Sequence, residues 1–165
     1  MRIFLDRLYA GAGYLAGACI VLITVMILVQ IVGRWFGVII PSTEDFSGYL
    51  LAGSAFLALA HTFRQGGHIR VTLLIHRFSP SVQRPLMGLM LLLFAVMVGW
   101  GSYHLSFLVY ESWDFGDLSQ GYIPVPLWIP QLPMALGGVI FFIALLDDFV
   151  GVVQGKLPTF VAREE

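Results

Sequence analysis

Histidine is the residue type in this sequence best suited to redox chemistry, because two histidines can hold a haem iron between membrane helices. Of the four histidines, only His61 and His104 lie within long apolar stretches. His61 lies near the end of its stretch and His104 far along the next one, so at about 1.5 Å per residue they differ by roughly 20–25 Å in depth. One iron cannot bind both. A haem- or quinone-binding anchor of a redox complex is therefore the alternative hypothesis rather than the preferred one.

Other combinations of reactive residues are also unfavourable. No two histidines have the i, i+3 or i+4 spacing of a helical metal pair. Cys19 is the only cysteine, so it has no disulfide partner in the chain. A proton-coupled pump needs an ionisable group within the membrane, and the apolar stretches contain no Asp, Glu, Lys or Arg. We predict no catalytic, metal-binding or substrate-binding residue, no cofactor and no enzymatic activity.

The composition explains where these side chains must lie. The chain has 165 residues, of which 58% are hydrophobic and 12% charged, and its mean hydropathy is +0.86. Soluble proteins contain about 25% charged residues, so a globule of this composition could not cover its apolar side chains. The net charge of −1 provides no basic excess for binding nucleic acid. The composition predicts a protein that crosses a membrane several times.

Four apolar stretches are long enough to cross a bilayer, for which about 20 helical residues suffice. They cover residues 8–33, 46–63, 86–110 and 122–146. Because lipid offers no partner for peptide groups, each stretch must be helical. We predict an all-α membrane protein in which four transmembrane helices form a single domain over residues 1–165. Prolines crowd the start of the fourth stretch, so that helix either begins late, near Pro130, or enters bent.

Small residues recur within two of these stretches. Gly13 and Gly17 are four residues apart in the first, and Gly137 and Gly138 are adjacent in the fourth. Small side chains allow membrane helices to approach closely. The pattern therefore predicts helix contacts at these positions.

Basic residues predict the orientation, because they concentrate in cytoplasmic segments. With four spans, both termini and the middle connection share one side. Eight of the nine basic residues fall on that side: Arg2, Arg7, Arg64, Arg70, Arg77, Arg84, Lys156 and Arg163. Only Arg34 falls on the other. We expect both termini in the cytoplasm.

The middle connection contains a short amphipathic pattern. Val71, Leu74, Ile75 and Phe78 recur at i, i+3, i+4 and i+7, which is the apolar stripe of a helix. Arg70 lies off that stripe. The pattern predicts a short amphipathic helix on the cytoplasmic membrane surface, in contact with lipid head groups.

The first outward connection contains polar residues that could act locally or bind a partner. Arg34 and Trp35 end the first span, and Glu44 and Asp45 open the second. Ser42 followed by Asp45 resembles a capping box, and Arg34 could pair with the two carboxylates. Local capping and pairing is one interpretation, and contact with another protein is the other.

These segments together resemble the small membrane subunit of tripartite ATP-independent periplasmic (TRAP) transporters. The resemblance covers nearly the whole chain and comprises several short motifs in the same order. They are Arg34, Glu44-Asp45, Gly67-His68-Ile69-Arg70-Val71, Phe78-Ser79-Pro80 and the run from Ile123 to Trp128. The sequence departs from the family pattern at Asp45, where a second Glu is frequent, and at Thr72, where members often carry Asp.

The resemblance implies a function and partners. Such a subunit braces a large membrane subunit that carries the substrate and sodium sites, and a periplasmic binding protein delivers an organic acid. The implied location is the bacterial inner membrane. The residues that match the family motifs, together with Trp35, are the candidate partner contacts: Arg34, Trp35, Glu44, Asp45, His68 and Arg70.

Overall fold

The computed structural model of the protein describes residues 2–65 and 80–155. Four helices occupy most of these residues: α1 (Arg2–Trp35), α2 (Thr43–Arg64), α3 (Pro80–Asp114) and α4 (Trp128–Val153). Each is long and apolar enough to cross a membrane. The predicted all-α fold with four transmembrane helices is confirmed. The predicted amphipathic helix (Val71, Leu74, Ile75 and Phe78), His68 and Arg70 lie outside the described residues.

Local sequence determines where the helices end. α1 stops at Trp35 because Gly37 adopts φ 73°, a left-handed conformation that glycine tolerates, and its N–H donates to Arg34 O at 3.1 Å. α4 begins at Trp128, so residues 122–127, which the sequence placed in the fourth span, precede the helix. Of the two alternatives for the proline-rich entry, the late start is the one observed.

The helices pack in the order α1, α2, α4, α3, so α4 lies between α2 and α3. The end of the bundle where α1 begins and α4 ends is called the terminal end, and the other is called the opposite end. The main hydrophobic core lies toward the terminal end, where side chains of all four helices meet. Its central residue is Leu145 of α4, which is completely buried.

Glycines allow the closest helix approaches. Gly137 of α4 packs on the backbone of α2, so that a Cβ added there would meet the peptide between Phe56 and Leu57, 2.7 Å from Leu57 N. Gly13 of α1 packs on the imidazole of His61. A Cβ added at Gly17 would meet nothing within 4 Å, whereas one at Gly138 would meet Ser102 Oγ at 2.8 Å. The predicted close approach therefore occurs at Gly13, Gly137 and Gly138 but not at Gly17.

Candidate functional site

The most highly charged site in the described residues lies at the terminal end and is centred on Arg64, the last residue of α2. Its guanidinium Nη2 donates to Asp6 Oδ1 of α1 and to Asp147 Oδ2 of α4, each at 3.0 Å. Nη1 lies 3.5 Å from Asp148 Oδ1. Arg64 is well suited to this position, because its planar guanidinium presents five donors in a fixed geometry. One side chain thus connects three helices.

The ion pairs of this Arg64 cluster differ in strength, because their side chains are buried to different extents. The Asp148 side chain is 5% exposed and that of Arg64 11%, whereas Asp6 is 64% exposed. The guanidinium also lies over the Tyr9 ring, 4.7 Å from its centroid. A pair shielded from water interacts more strongly than an exposed one, and a cation over an aromatic face adds to this. The contacts to α4 therefore dominate, and the contact to Asp6 contributes little.

Sequence reasoning missed this cluster. It counted Arg64 as one more cytoplasmic-side basic residue and ended the fourth span just before the two aspartates. The sequence did contain an indication of the cluster. Asp147 and Asp148 directly follow the fourth apolar stretch, which ends on the same side of the membrane as Arg64. Which of the helices are neighbours, however, is not visible in the sequence. The cluster connects α1, α2 and α4 through ion pairs of one side chain.

At the opposite end, Ser42 has a different role from the predicted one. Its side chain makes no capping hydrogen bond to α2, so the capping-box prediction is wrong. Ser42 adopts φ 58°, and its Oγ accepts a hydrogen bond from Ile123 N at 3.0 Å. The residue thereby ties the connection between α3 and α4 to the start of α2.

That connection is an ordered turn over residues 115–127. Leu118 pairs with Pro126 in an isolated antiparallel bridge, and Ser119 N donates to Val125 O at 2.8 Å. The Asp45 carboxylate lies against its tip, since a Cβ on Gly121 would come within 2.5 Å of Asp45 Oδ2. Asp45 therefore has a contact within the chain, at Gly121, although both Asp45 and Glu44 are exposed. Glu44 has no ion pair among the described residues.

A polar pocket of about 250 Å³ opens beside these residues. Gln30 of α1, Glu44 and Asp45 of α2, and Tyr122 of the connection contribute to its walls. Arg34 is exposed, and within the described part of the chain it pairs with neither carboxylate, so the predicted local ion pair does not form. Trp35 is 80% exposed at the end of α1. Glu44 and Asp45 thus line one pocket, and Arg34 and Trp35 are exposed to the surroundings at the same end of the bundle.

The two membrane histidines lie on different helices in different surroundings. His61 of α2 packs against Gly13 of α1, and His104 of α3 is exposed beside Trp100. α4 separates α2 from α3 among the described residues. The geometry therefore does not favour a haem held between His61 and His104, the alternative that the sequence left open.

The four membrane-length helices, with charged residues only near their ends, define an integral membrane protein. The family model described as "Tripartite ATP-independent periplasmic transporters, DctQ component" matches residues 23–155, which is more than half of the chain. The chain belongs to this family, the small membrane component of TRAP transporters, and the family resemblance of its motifs is confirmed. This is a family of transporter components and not of enzymes. A comparison with individually curated proteins gives no significant match.

Proposed function

We propose that this chain is a scaffold subunit that braces the large membrane subunit of a TRAP transporter and does not itself carry the substrate. The transporter would take up an organic acid, coupled to sodium, after delivery by a periplasmic binding protein. The observation that supports this most directly is the distribution of charge. In the described helices, every Asp, Glu, Lys and Arg lies near one or the other end of the bundle, and none lies at its middle.

This charge distribution fits a bracing role for a physical reason. An ion or organic acid crossing the membrane needs polar or charged groups along its path, and such groups are expensive in lipid unless they have a function. The described spans place no ionised group at mid-membrane depth. The Arg64 cluster instead holds α1, α2 and α4 together at one end. A rigid bundle of this kind is suited to supporting a neighbour.

The opposite end would contact a partner through polar residues. Glu44 is exposed beside the pocket, and Arg34 and Trp35 are exposed at the end of α1. Asp45 belongs to the same proposed surface, whereas His68 and Arg70, which the sequence places in the connection after α2 on the other side of the membrane, are separate candidate partner contacts. Their charges can form ion pairs across an interface, where burial by the partner strengthens them.

We expect Glu44→Ala to weaken the complex with the large subunit and to destabilise the isolated chain only slightly. The Glu44 side chain is exposed and has no ion pair in the described structure. Within the chain, the change removes only a favourable charge in the first turn of α2, which contributes about 0.3–1 kcal/mol. An interface ion pair shielded by the partner contributes more than the ~0.2–1 kcal/mol of an exposed pair. The measurement is the fraction of the large subunit that co-purifies with tagged chain.

Asp117→Ala is the matched control, because Asp117 is an exposed carboxylate at the same end. Asp45→Asn is a useful second variant, since it keeps the side-chain shape beside Gly121 and removes the charge. Equal co-purification of wild type and Glu44→Ala would show that Glu44 does not contact the large subunit. A change in the substrate specificity of the remaining uptake would contradict the scaffold role.

We further propose that both termini face the cytoplasm, on the strength of the eight-to-one distribution of basic residues. A reporter enzyme that is active only in the periplasm should give no signal when fused after Glu165. The same reporter fused at Asp117, in the connection between α3 and α4, should be active. The reverse pattern would show that the bundle is inserted the other way.

A further inference from the structure

α3 presents polar aromatic groups to its surroundings at mid-membrane depth. Trp100 is 70% exposed and Tyr103 66% exposed, and His104 beside them is also exposed. The opposite face of α3 is occupied by α4, where Phe142 packs on Gly99 and Ser102 packs on Gly138. The three polar rings therefore point away from the rest of this chain.

The depth of these rings follows from the charges on α3. Arg84 and Glu111 mark the two polar ends of the helix. The 27 helical steps from one to the other span about 40 Å, the thickness of a bilayer with its head groups. Trp100 lies about 4 Å from the midpoint and His104 about 10 Å from it. The hydrocarbon extends about 15 Å on each side of the midpoint. All three rings thus lie within the hydrocarbon layer.

Lipid chains cannot satisfy these side chains. The Trp100 indole and the Tyr103 hydroxyl are hydrogen-bond donors, and a neutral His104 imidazole has one donor and one acceptor. The described residues provide a hydrogen bond to none of the three. Polar groups left unpaired in hydrocarbon are strongly unfavourable. Aromatic residues at the membrane boundary are common, but these rings lie too deep for that explanation.

The exposed face of α1 differs in chemistry. Val21, Val25 and Leu28 are each more than half exposed and purely aliphatic. The neighbouring Thr24 hydroxyl is already satisfied, since it donates to Ile20 O at 3.0 Å. Lipid can cover residues 21–28 of this face at no polar cost, although Tyr14, 80% exposed nearer the start of α1, adds one polar ring to it. The α3 face carries three polar rings together and needs a surface with hydrogen-bonding atoms.

We infer that the face of α3 formed by Trp100, Tyr103, His104 and Phe107 is covered by the large membrane subunit, which provides hydrogen-bonding atoms at mid-membrane depth. The large subunit is favoured over lipid because a protein surface can provide hydrogen-bond partners for these rings and lipid chains cannot. The rings are already ordered against one another, with centroids 4.6 Å apart for Trp100 and His104 and 6.5 Å apart for Tyr103 and Phe107. Ordered aromatic side chains lose little conformational entropy on binding. This inference rests on the proposed function and adds which helix face meets the partner.

Photocrosslinking in the co-expressed complex tests the assignment. p-Benzoylphenylalanine replaces Phe107 on α3 or, as a depth-matched control, Leu28 on α1, each about two turns before the end of its helix. The inference predicts a crosslinked product of this chain with the large subunit from position 107, with a yield several-fold above that from position 28. A product from position 28 and none from position 107 would overturn it and leave the proposed function intact.

Other outcomes are equally informative. A crosslink from position 107 only to a second copy of this chain, or only to lipid, would overturn the inference. Failure of the large subunit to co-purify with the unmodified chain would overturn the proposed function itself. The two claims are therefore separable within one experiment.

A variant tests the hydrogen bonds directly. Trp100→Phe, Tyr103→Phe and His104→Leu combined remove the polar groups and keep apolar bulk. Hydrogen bonds between membrane helices are individually modest, so the loss of three should raise the Kd for the large subunit about tenfold and lower its retention accordingly. The thermal stability of the isolated chain should stay unchanged, since these side chains contact no other helix through hydrogen bonds in the described structure. Unchanged retention, or an equal loss of stability in the isolated chain, would contradict the assignment.

Discussion

Replacing Arg64 by leucine is expected to destabilise the isolated chain by about 3–5 kcal/mol. The substitution leaves Asp147 and Asp148 close together without the guanidinium that lies 3.0 Å and 3.5 Å from them. Asp148 is buried, so water cannot replace the lost cation. The free energy of unfolding in mixed micelles, obtained by denaturant titration, is the appropriate measurement.

Two further variants test whether burial decides the effect. Asp6→Asn should lower the free energy of unfolding by no more than about 1 kcal/mol, because exposed ion pairs are screened by water. Arg64→Lys should be intermediate, since an ammonium cannot reproduce the planar array of guanidinium donors. If Arg64→Leu unfolds at the same denaturant concentration as the wild type, the cluster does not hold the helices together.

The second large effect is expected at the α2–α4 crossing. In Gly137→Ala, the new methyl group would lie against the backbone of Phe56 and Leu57, which cannot rotate away as a side chain can. The two helices must separate, and overpacking of this kind typically costs about 1–3 kcal/mol. We expect a lower free energy of unfolding and poorer retention of the large subunit.

Gly17→Ala is the matched control, because it adds the same methyl group within α1 where nothing lies within 4 Å. Its stability should equal or slightly exceed that of the wild type, as alanine favours helix more than glycine does. Gly138→Ala should be milder than Gly137→Ala, because its neighbour is the Ser102 side chain. Equal stability of Gly137→Ala and Gly17→Ala would contradict the close backbone contact.

The number and type of elements could be predicted from the sequence for one strong physical reason. Apolar stretches of membrane length must be helical, so the four stretches in the sequence predict four helices. The prolines at the start of the fourth stretch left two alternatives, a late start near Pro130 or a bent entry, because a proline ring removes a backbone donor. The helix begins late, at Trp128.

The interactions that connect distant residues could not be predicted in this way. Ser42 followed by Asp45 has the spacing of a capping box, yet Ser42 Oγ binds Ile123 N and Asp45 packs on Gly121. A local rule failed there because the folded connection between α3 and α4 competes for the same side chains. The Arg64 cluster was missed for a related reason, since its partners are brought together only by the packing of α1, α2 and α4.

Uptake into proteoliposomes tests the central claim most directly. Vesicles receive the large subunit, this chain, or both, and substrate is supplied with the binding protein under an inward sodium gradient. The scaffold role predicts uptake when both membrane subunits are present, little or none with the large subunit alone, and none with this chain alone. Transport by this chain alone, or full uptake without it, would contradict the account.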